Sequence, residues 1–322
     1  AEPLAAQVAE SLVENNLVGH DSHGVIRVGM YTRMMEEGRI DPGGEISVVR
    51  ESATTALLDG GRNFGQVIGR RAMALAMDKA REHDIGLVAV RNAGHTGRMG
   101  EYVVQAAREG LIGSVMGAGS AKGGTVAPFG GTSRAFNTNP ISLGVPCNRF
   151  PALFFDFATS AVAFGKLQVA MDKGTEIPEG WLLDADGNPT TDPHQIREGG
   201  TLLPFGAHKG SALCMMVELL SGGLTRGTCA PLDSYEPDFS LVMQAINVAA
   251  FQPLDEFRAM VDETIEAVKS ARKAPRVKEI LVPGEMEWRT RERRAKEGID
   301  LPEATWERIV ETGAKYGVEI SL

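Results

Sequence analysis

Between residues 85 and 157 the chain alternates short apolar runs with amphipathic or turn-rich segments, and this alternation limits the fold more than any other feature. Ile85 to Val90, Leu111 to Met116, Ile141 to Val145 and Leu153 to Phe157 are almost wholly apolar, as strands are when a sheet is covered on both faces. The spacing of Val67, Ile68, Ala72, Leu75 and Ala76 predicts a helix over 66–83, and a shorter one over 99–108 stops at Gly110. Ile46 to Arg50 and Thr54 to Leu58 alternate as a strand pair around Glu51-Ser52. The expectation is an α/β fold with a mixed sheet flanked by helices.

That sheet does not read as a Rossmann fold. Gly117-Ala118-Gly119-Ser120-Ala121-Lys122-Gly123 follows a strand, but Lys122 takes the third glycine position and the chain runs on into Gly-Thr-Val-Ala-Pro. No helix N-terminus is offered to a pyrophosphate there. The ends of the chain are helical instead. Leu4, Val8 and Leu12 predict a helix over 3–16 that Asn15-Asn16 can end, and a second is expected from Gly24 to Glu37; if it begins near Ser22, His23 and Arg27 share one face. Helices over 253–273 and 302–316 follow late in the chain, around the Pro283-Gly284-Glu285 break, and Lys209 to Leu220, apolar on most sides, is expected to be a buried helix. The expected organisation is a mainly helical unit from 1–45 plus 247–322 around a central sheet unit over 46–246.

Net charge is −9, from 33 basic and 42 acidic residues, which gives no support to a nucleic-acid or anionic-membrane partner. Arg289-Thr290-Arg291-Glu292-Arg293-Arg294 is the exception and reads as a solvated helical face. Three widely spaced cysteines, Cys147, Cys214 and Cys229, make neither a disulfide framework nor a zinc pair. With no apolar run long enough to span a bilayer, the expected location is the cytoplasm.

The densest cluster of reactive groups is Val18-Gly19-His20-Asp21-Ser22-His23-Gly24-Val25-Ile26-Arg27. A histidine titrates near neutrality and an arginine binds a carboxylate through two parallel hydrogen bonds, so chemistry on a small acid is indicated. A metal site at His20, Asp21 and His23 is disfavoured, because three contiguous ligands lack a distant fourth. Asp184, Asp186 and Asn188 resemble a calcium loop but Pro189 stands where glycine is required, so a turn is expected. No Gly-x-Ser-x-Gly is present, which leaves a hydrolase or lyase acting through His23 and Asp21 as the alternative of another class. Asn92-Ala93-Gly94-His95-Thr96-Gly97 sets a second histidine in a loop at a strand end, where a catalytic and a structural role are equally open. Asp156-Phe157-Ala158-Thr159-Ser160 suits a phosphate or ribose, and equally a helix cap. Lys209 sits near a predicted helix N-terminus, where the dipole is already positive, which points to a bound anion.

Eight segments in this order, Gly19–Val25, Asn92–Gly97, Val126–Gly131, Thr138–Pro140, Asp156–Ser160, Pro189–Pro193, His208–Gly210 and Pro283–Glu285, resemble the type-2 malate/lactate dehydrogenase family. That family also holds sulfolactate and ureidoglycolate dehydrogenases, diketogulonate reductase and cyclic 2-imino acid reductases. The resemblance implies an oxidoreductase of non-Rossmann fold that passes a hydride between NAD or NADP, NAD being favoured, and a small 2-hydroxy or 2-oxo acid. Reduction of a cyclic 2-imino acid is the alternative within the class. The resemblance also implies a homodimer, His23 beside Ser22 as proton donor, His95 as a second catalytic residue and Arg27 as carboxylate clamp. Asp156, Phe157, Ala158, Thr159, Ser160, His208, Lys209, Gly284 and Glu285 are implied as dinucleotide contacts, with Ser120, Lys122, Thr138 and Asn139 as further candidates. No metal is implied. Two positions depart from the family pattern: Asn137 and Ala207 stand where glycine is usual.

Overall fold

The computed structural model describes residues 2–119, 121–227, 229–234 and 238–320. In chain order it contains α1 (Glu2–Leu17), two 3-10 turns at Asp21–His23 and Val25–Arg27, α2 (Val28–Glu36), β1 (Ser47–Glu51), β2 (Thr55–Asp59), α3 (Gly65–His83), β3 (Ile85–Ala93), α4 (Gly100–Arg108) and β4 (Leu111–Ala118). Then come β5 (Ile141–Val145), β6 (Leu153–Phe157), α5 (Phe164–Lys173), three two-residue strands β7 (Leu182–Leu183), β8 (Pro189–Thr190) and β9 (Thr201–Leu202), and α6 (His208–Glu218). The chain closes with β10 (Phe239–Asn247), α7 (Leu254–Lys269), α8 (Glu285–Glu297) and α9 (Glu303–Lys315).

Seven strands form the main sheet in the order β1-β2-β3-β10-β4-β5-β6. Only β2 and β3 run parallel; every other neighbouring pair is antiparallel. The sheet is therefore mixed, as expected, and lacks the series of parallel strands from which a doubly wound fold is built. Its middle strand, β10, was not foreseen. Ser240, Gln244 and Asn247 interrupt the apolar run, and the segment becomes a strand by pairing with β3 and β4, which lie more than a hundred residues earlier.

Two hydrophobic cores result. The larger joins the buried faces of α1, α2, α3 and α4 to the sheet, through residues such as Leu12, Tyr31, Ile68, Tyr102, Val88 and Met243. The smaller lies among Val126, Phe136, Leu167, Leu182, Leu202 and Cys214. Near the late break the sequence predicts two helices and the structure has three, since α8 starts directly at Glu285. Gly284 has φ +79°, and a Cβ there would stand 2.8 Å from the Phe154 ring, so glycine alone allows that sharp start. The expectation for α6 is corrected. Gly210, Cys214 and Val217 are buried, whereas Met215 and Met216, with Leu219 and Leu220 just beyond the helix, are exposed; an all-round apolar helix has here been left with one uncovered face.

Candidate active site

The helix expected from Gly24 to Glu37 is present but starts later, and Ser22 and His23 lie outside it. Gly24 adopts an extended backbone, φ −87° and ψ −151°, and splits the segment into two short 3-10 turns before α2 starts at Val28. Side chains at the end of α1 hold this arrangement. Asn16 Oδ1 accepts the Val25 N–H at 2.8 Å while its Nδ2 donates to Asp21 at 2.7 Å, and Asn15 Nδ2 donates to the His23 carbonyl at 3.0 Å. A Cβ on Gly24 would stand 2.1 Å from Asn16 Oδ1, so this packing admits no larger residue.

The second histidine arrives on the loop between β3 and α4. Arg98, buried in that loop, donates from Nε to Asn15 Oδ1 at 2.9 Å. Asn15 thus bridges the two histidine-bearing segments. His23 and His95 stack with ring centroids 5.9 Å apart and planes 17° apart. Tyr31 Oη lies 2.9 Å from His95 Nδ1 and accepts a hydrogen bond from Gln66 Nε2 at 2.6 Å. The Gly97 N–H also points to His95 Nδ1, at 3.3 Å. Ser22 Oγ lies 3.0 Å from His23 Nδ1.

Both imidazoles are neutral at physiological pH. Burial, reinforced by the Arg27 guanidinium, holds His23 down to about 3, and the same two causes hold His95 well below its ordinary value. Arg27 itself donates from Nε to the Ser22 carbonyl at 2.6 Å and from Nη1 to the Met30 sulfur at 3.3 Å. Among the described residues no carboxylate pairs with it. A half-buried guanidinium without a counter-ion, next to two neutral imidazoles, is prepared to bind an acid.

These groups open onto one cavity of about 430 Å³ whose wall includes His23, Arg27, His95, Gly117 to Gly119, Thr138 and Phe164. Not all candidates reach it. Asp156 accepts the Gly100 N–H at 2.7 Å and so caps α4. Thr159 Oγ1 donates to the carbonyls of Thr138 and Asn139, and Ser160 Oγ to that of Val162. These hydroxyls hold loops against the cavity wall. Glu285 is buried, bound at 2.7 Å through both oxygens to Lys269 and at 2.6 Å to Arg289, away from the cavity. Asn139 is buried and joins the Thr138 wall to α6 through Glu218, at 2.6 Å. His208 and Lys209 open α6 itself. Lys122 is exposed, and the candidate Ser120 lies outside the described residues.

Asp21 pairs with Arg294 at 2.6 Å and not with His23, which leaves the hydrolase reading without a histidine–aspartate pair. His20 turns outward to Glu287 at 3.3 Å. Asp184 receives backbone N–H groups from Asp186 and Asn188, as in a turn. The two departures from glycine also find explanations. Asn137 exchanges hydrogen bonds with the backbone of Ala121, at 3.2 and 3.3 Å. Ala207 retains a glycine-like backbone, φ +57° and ψ −122°, at the start of α6, a strain of about 1–3 kcal/mol. Asn15, Asn16, Tyr31 and Gln66 were missed by sequence reasoning, because nothing local distinguishes them from helix-surface or helix-core residues.

The sequence model of the malate/L-lactate dehydrogenase family matches residues 1–310. Malate dehydrogenase of Pyrococcus abyssi is 40% identical, over 99% of this chain and 90% of its own. L-Sulfolactate dehydrogenase of Methanothermobacter thermautotrophicus is 39% identical, over 98% and 91%. The crystal structure of malate dehydrogenase from Entamoeba histolytica superposes with a TM-score of 0.95 at 31% identity, covering 100% of this chain and 94% of that one.

Proposed function

The chain belongs to the malate/L-lactate dehydrogenase family and is an oxidoreductase of small hydroxy acids, and from that premise we propose that it interconverts a 2-hydroxy and a 2-oxo acid with NAD, or with NADP. The observation that carries this reading is Arg27, a guanidinium with no carboxylate partner among the described residues, in the same cavity as two neutral histidines. The substrate carboxylate binds Arg27, which brings the oxygen on C2 to the imidazoles. His23 takes the hydroxyl proton in oxidation and returns it in reduction, through the ring nitrogen opposite Ser22. A neutral base suits oxidation, and the arriving carboxylate offsets the Arg27 charge that depresses His23.

When bound, a nicotinamide cofactor would supply or accept the hydride at C2. The cavity fits such a group. Its volume is within the roughly 300–1,000 Å³ of small-ligand sites, and the small residues Gly117, Ala118 and Gly119 form part of its wall. We assign the ring to that wall with Thr138, and the phosphates to His208 and Lys209, where positive charge at a helix N-terminus suits an anion. Thr159 supports the Thr138 part of that wall through the Thr138 and Asn139 carbonyls, while Gly284 and Glu285 stand at the start of α8.

Two further proposals concern the state of the protein. A homodimer is supported by Met215, Met216, Leu219, Leu220 and Leu224, all exposed on one stretch of chain. Three unpaired buried cysteines are compatible with the cytoplasm. No described helix is long and apolar enough to cross a membrane. The test is absorbance at the reduced-nicotinamide band, with a panel of 2-oxo acids and both dinucleotides. Oxidation of the dinucleotide by at least one acid is expected, and no change with any of them, joined to no dinucleotide binding by calorimetry, would overturn the reading.

A further inference from the structure

The two histidines of the cavity differ in what holds them, and that difference assigns them different work. A neutral imidazole carries its proton on one nitrogen, and the partner of the other nitrogen decides which. At His95 the decisive partner is backbone. The Gly97 N–H points to Nδ1 at 3.3 Å and cannot be turned round. A proton on Nδ1 would oppose it donor to donor, so Nδ1 is an acceptor. The Tyr31 hydroxyl, 2.9 Å from the same nitrogen, must then donate to it, and Gln66 Nε2 donates to Tyr31 in turn. Turning the Gln66 amide over would reverse the Tyr31 hydroxyl and set it against Gly97. Only this orientation sets no donor against a donor, although it leaves Gln66 Oε1 without a partner among the described residues, and it puts the proton on Nε2, which has no hydrogen-bond partner among the described residues, in a ring that lines the cavity.

We propose that Tyr31 and the Gly97 N–H lock His95 in the Nε2–H form, so that His95 meets the substrate C2 oxygen as a fixed hydrogen-bond donor and Tyr31 acts as its positioning residue. This rests on the dehydrogenase reading for its substrate but not for its geometry. His23 is held differently. Its Nδ1 faces only the Ser22 hydroxyl, which rotates and can donate or accept. His23 can therefore release and regain a proton at Nε2, and His95 cannot without losing the contacts at Nδ1. The titratable and charged groups that act on His95 are His23 and Arg27 from the 3-10 turns and Tyr31 from α2; Arg33, Glu37 and Arg39 line the same cavity without bonding it, and β10 brings the Phe239 ring edge-on at 5.3 Å. None of the groups that act on it offers a negative charge that would favour an imidazolium. A donor already in place costs no proton transfer and stabilises an oxygen that gains negative charge in reduction.

The test joins NMR to kinetics. In the protein labelled with ¹⁵N-histidine, six residues contribute, and the His95 signals are those lost in His95→Gln. The wild-type spectrum, which needs no variant to fold, is expected to place the proton on Nε2 throughout neutral pH; a proton on Nδ1 overturns the proposal. Tyr31→Phe is expected to let the two forms mix and to lower turnover about 3- to 10-fold, as loss of one hydrogen bond does, with the dinucleotide Michaelis constant unchanged. Unaltered signals and turnover in that variant overturn the role of Tyr31. His95→Leu is expected to lose about 10²–10³-fold in turnover, the usual effect of removing an oxyanion donor. His95→Gln, which keeps an N–H but cannot transfer a proton, is expected to recover most of that loss. A glutamine variant as poor as the leucine variant shows proton transfer at His95 and overturns the proposal. Absence of turnover in the wild type would instead overturn the dehydrogenase reading, and the spectrum would still decide the lock.

Discussion

The His23 segment and the His95 segment face the same cavity and are built in opposite ways. His95 stands at the end of β3, a strand paired along its length with β10 and β2, and its ring is fixed from behind by Tyr31 and Gly97. His23 stands on a 3-10 turn of three residues with no sheet behind it, placed by Asn15 and Asn16 from the end of α1. A strand end supplies a rigid donor, while a turn tethered by side chains supplies a group whose hydrogen-bond partner can reverse. On the roles proposed above, one cavity holds a histidine that keeps its protonation beside one that changes it.

The comparison breaks most sharply at His23. His23→Ala is expected to lower turnover by about 10²–10⁴-fold, the contribution of a general acid or base, with dinucleotide binding intact by calorimetry; unchanged turnover would move the proton transfer elsewhere. Asn15 is the next point of stress, because among the described residues it alone bonds both segments. Asn15→Ala leaves the buried Arg98 without its partner and should cost about 2–4 kcal/mol, one to two orphaned buried groups. Chemical denaturation measures this, and a loss below half a kilocalorie would show the segments to be independent.

A third prediction concerns what the segments share. Folding lowers the pKa of both histidines below the ordinary 6.5, so as pH falls the unfolded chain takes up protons first. The stability they contribute is whole above about 6.5 and is lost as pH falls towards about 3, the folded value of His23. The slope is at most about 1.4 kcal/mol per pH unit for each group. Replacing either histidine by asparagine should flatten the stability profile over that window, and an unflattened profile would contradict their burial as neutral rings. The smallest effect is expected at Ser22. Ser22→Ala removes one adjustable partner and should lower turnover no more than about 3- to 10-fold; a loss equal to that of His23→Ala would mean that Ser22 takes part in the proton transfer itself.

Much of this was legible in the chain. Strands β3, β4, β5 and β6 and helices α3 and α4 announced themselves by apolar runs and helical spacing, because a covered sheet demands such runs wherever it occurs. His23, Arg27 and His95 were legible as reactive residues, and the cavity brings all three together. Strand β10 was not legible, since its role depends on two partners far away in sequence. Nor was the break at Gly24, which follows from Asn16 occupying the space where a Cβ would be. The exposed face of α6 escaped because apolarity on all sides states what a helix can bury and not what covers it.

By itself the sequence determined which residues could do chemistry and that they would be carried on a helix-flanked sheet, because residue type and periodicity are local properties. Tertiary structure alone decided which nitrogen of each histidine meets the cavity. That choice depends on Tyr31 and Gly97 at one ring and Ser22 at the other, and a proton's place on an imidazole is set by what packs against it.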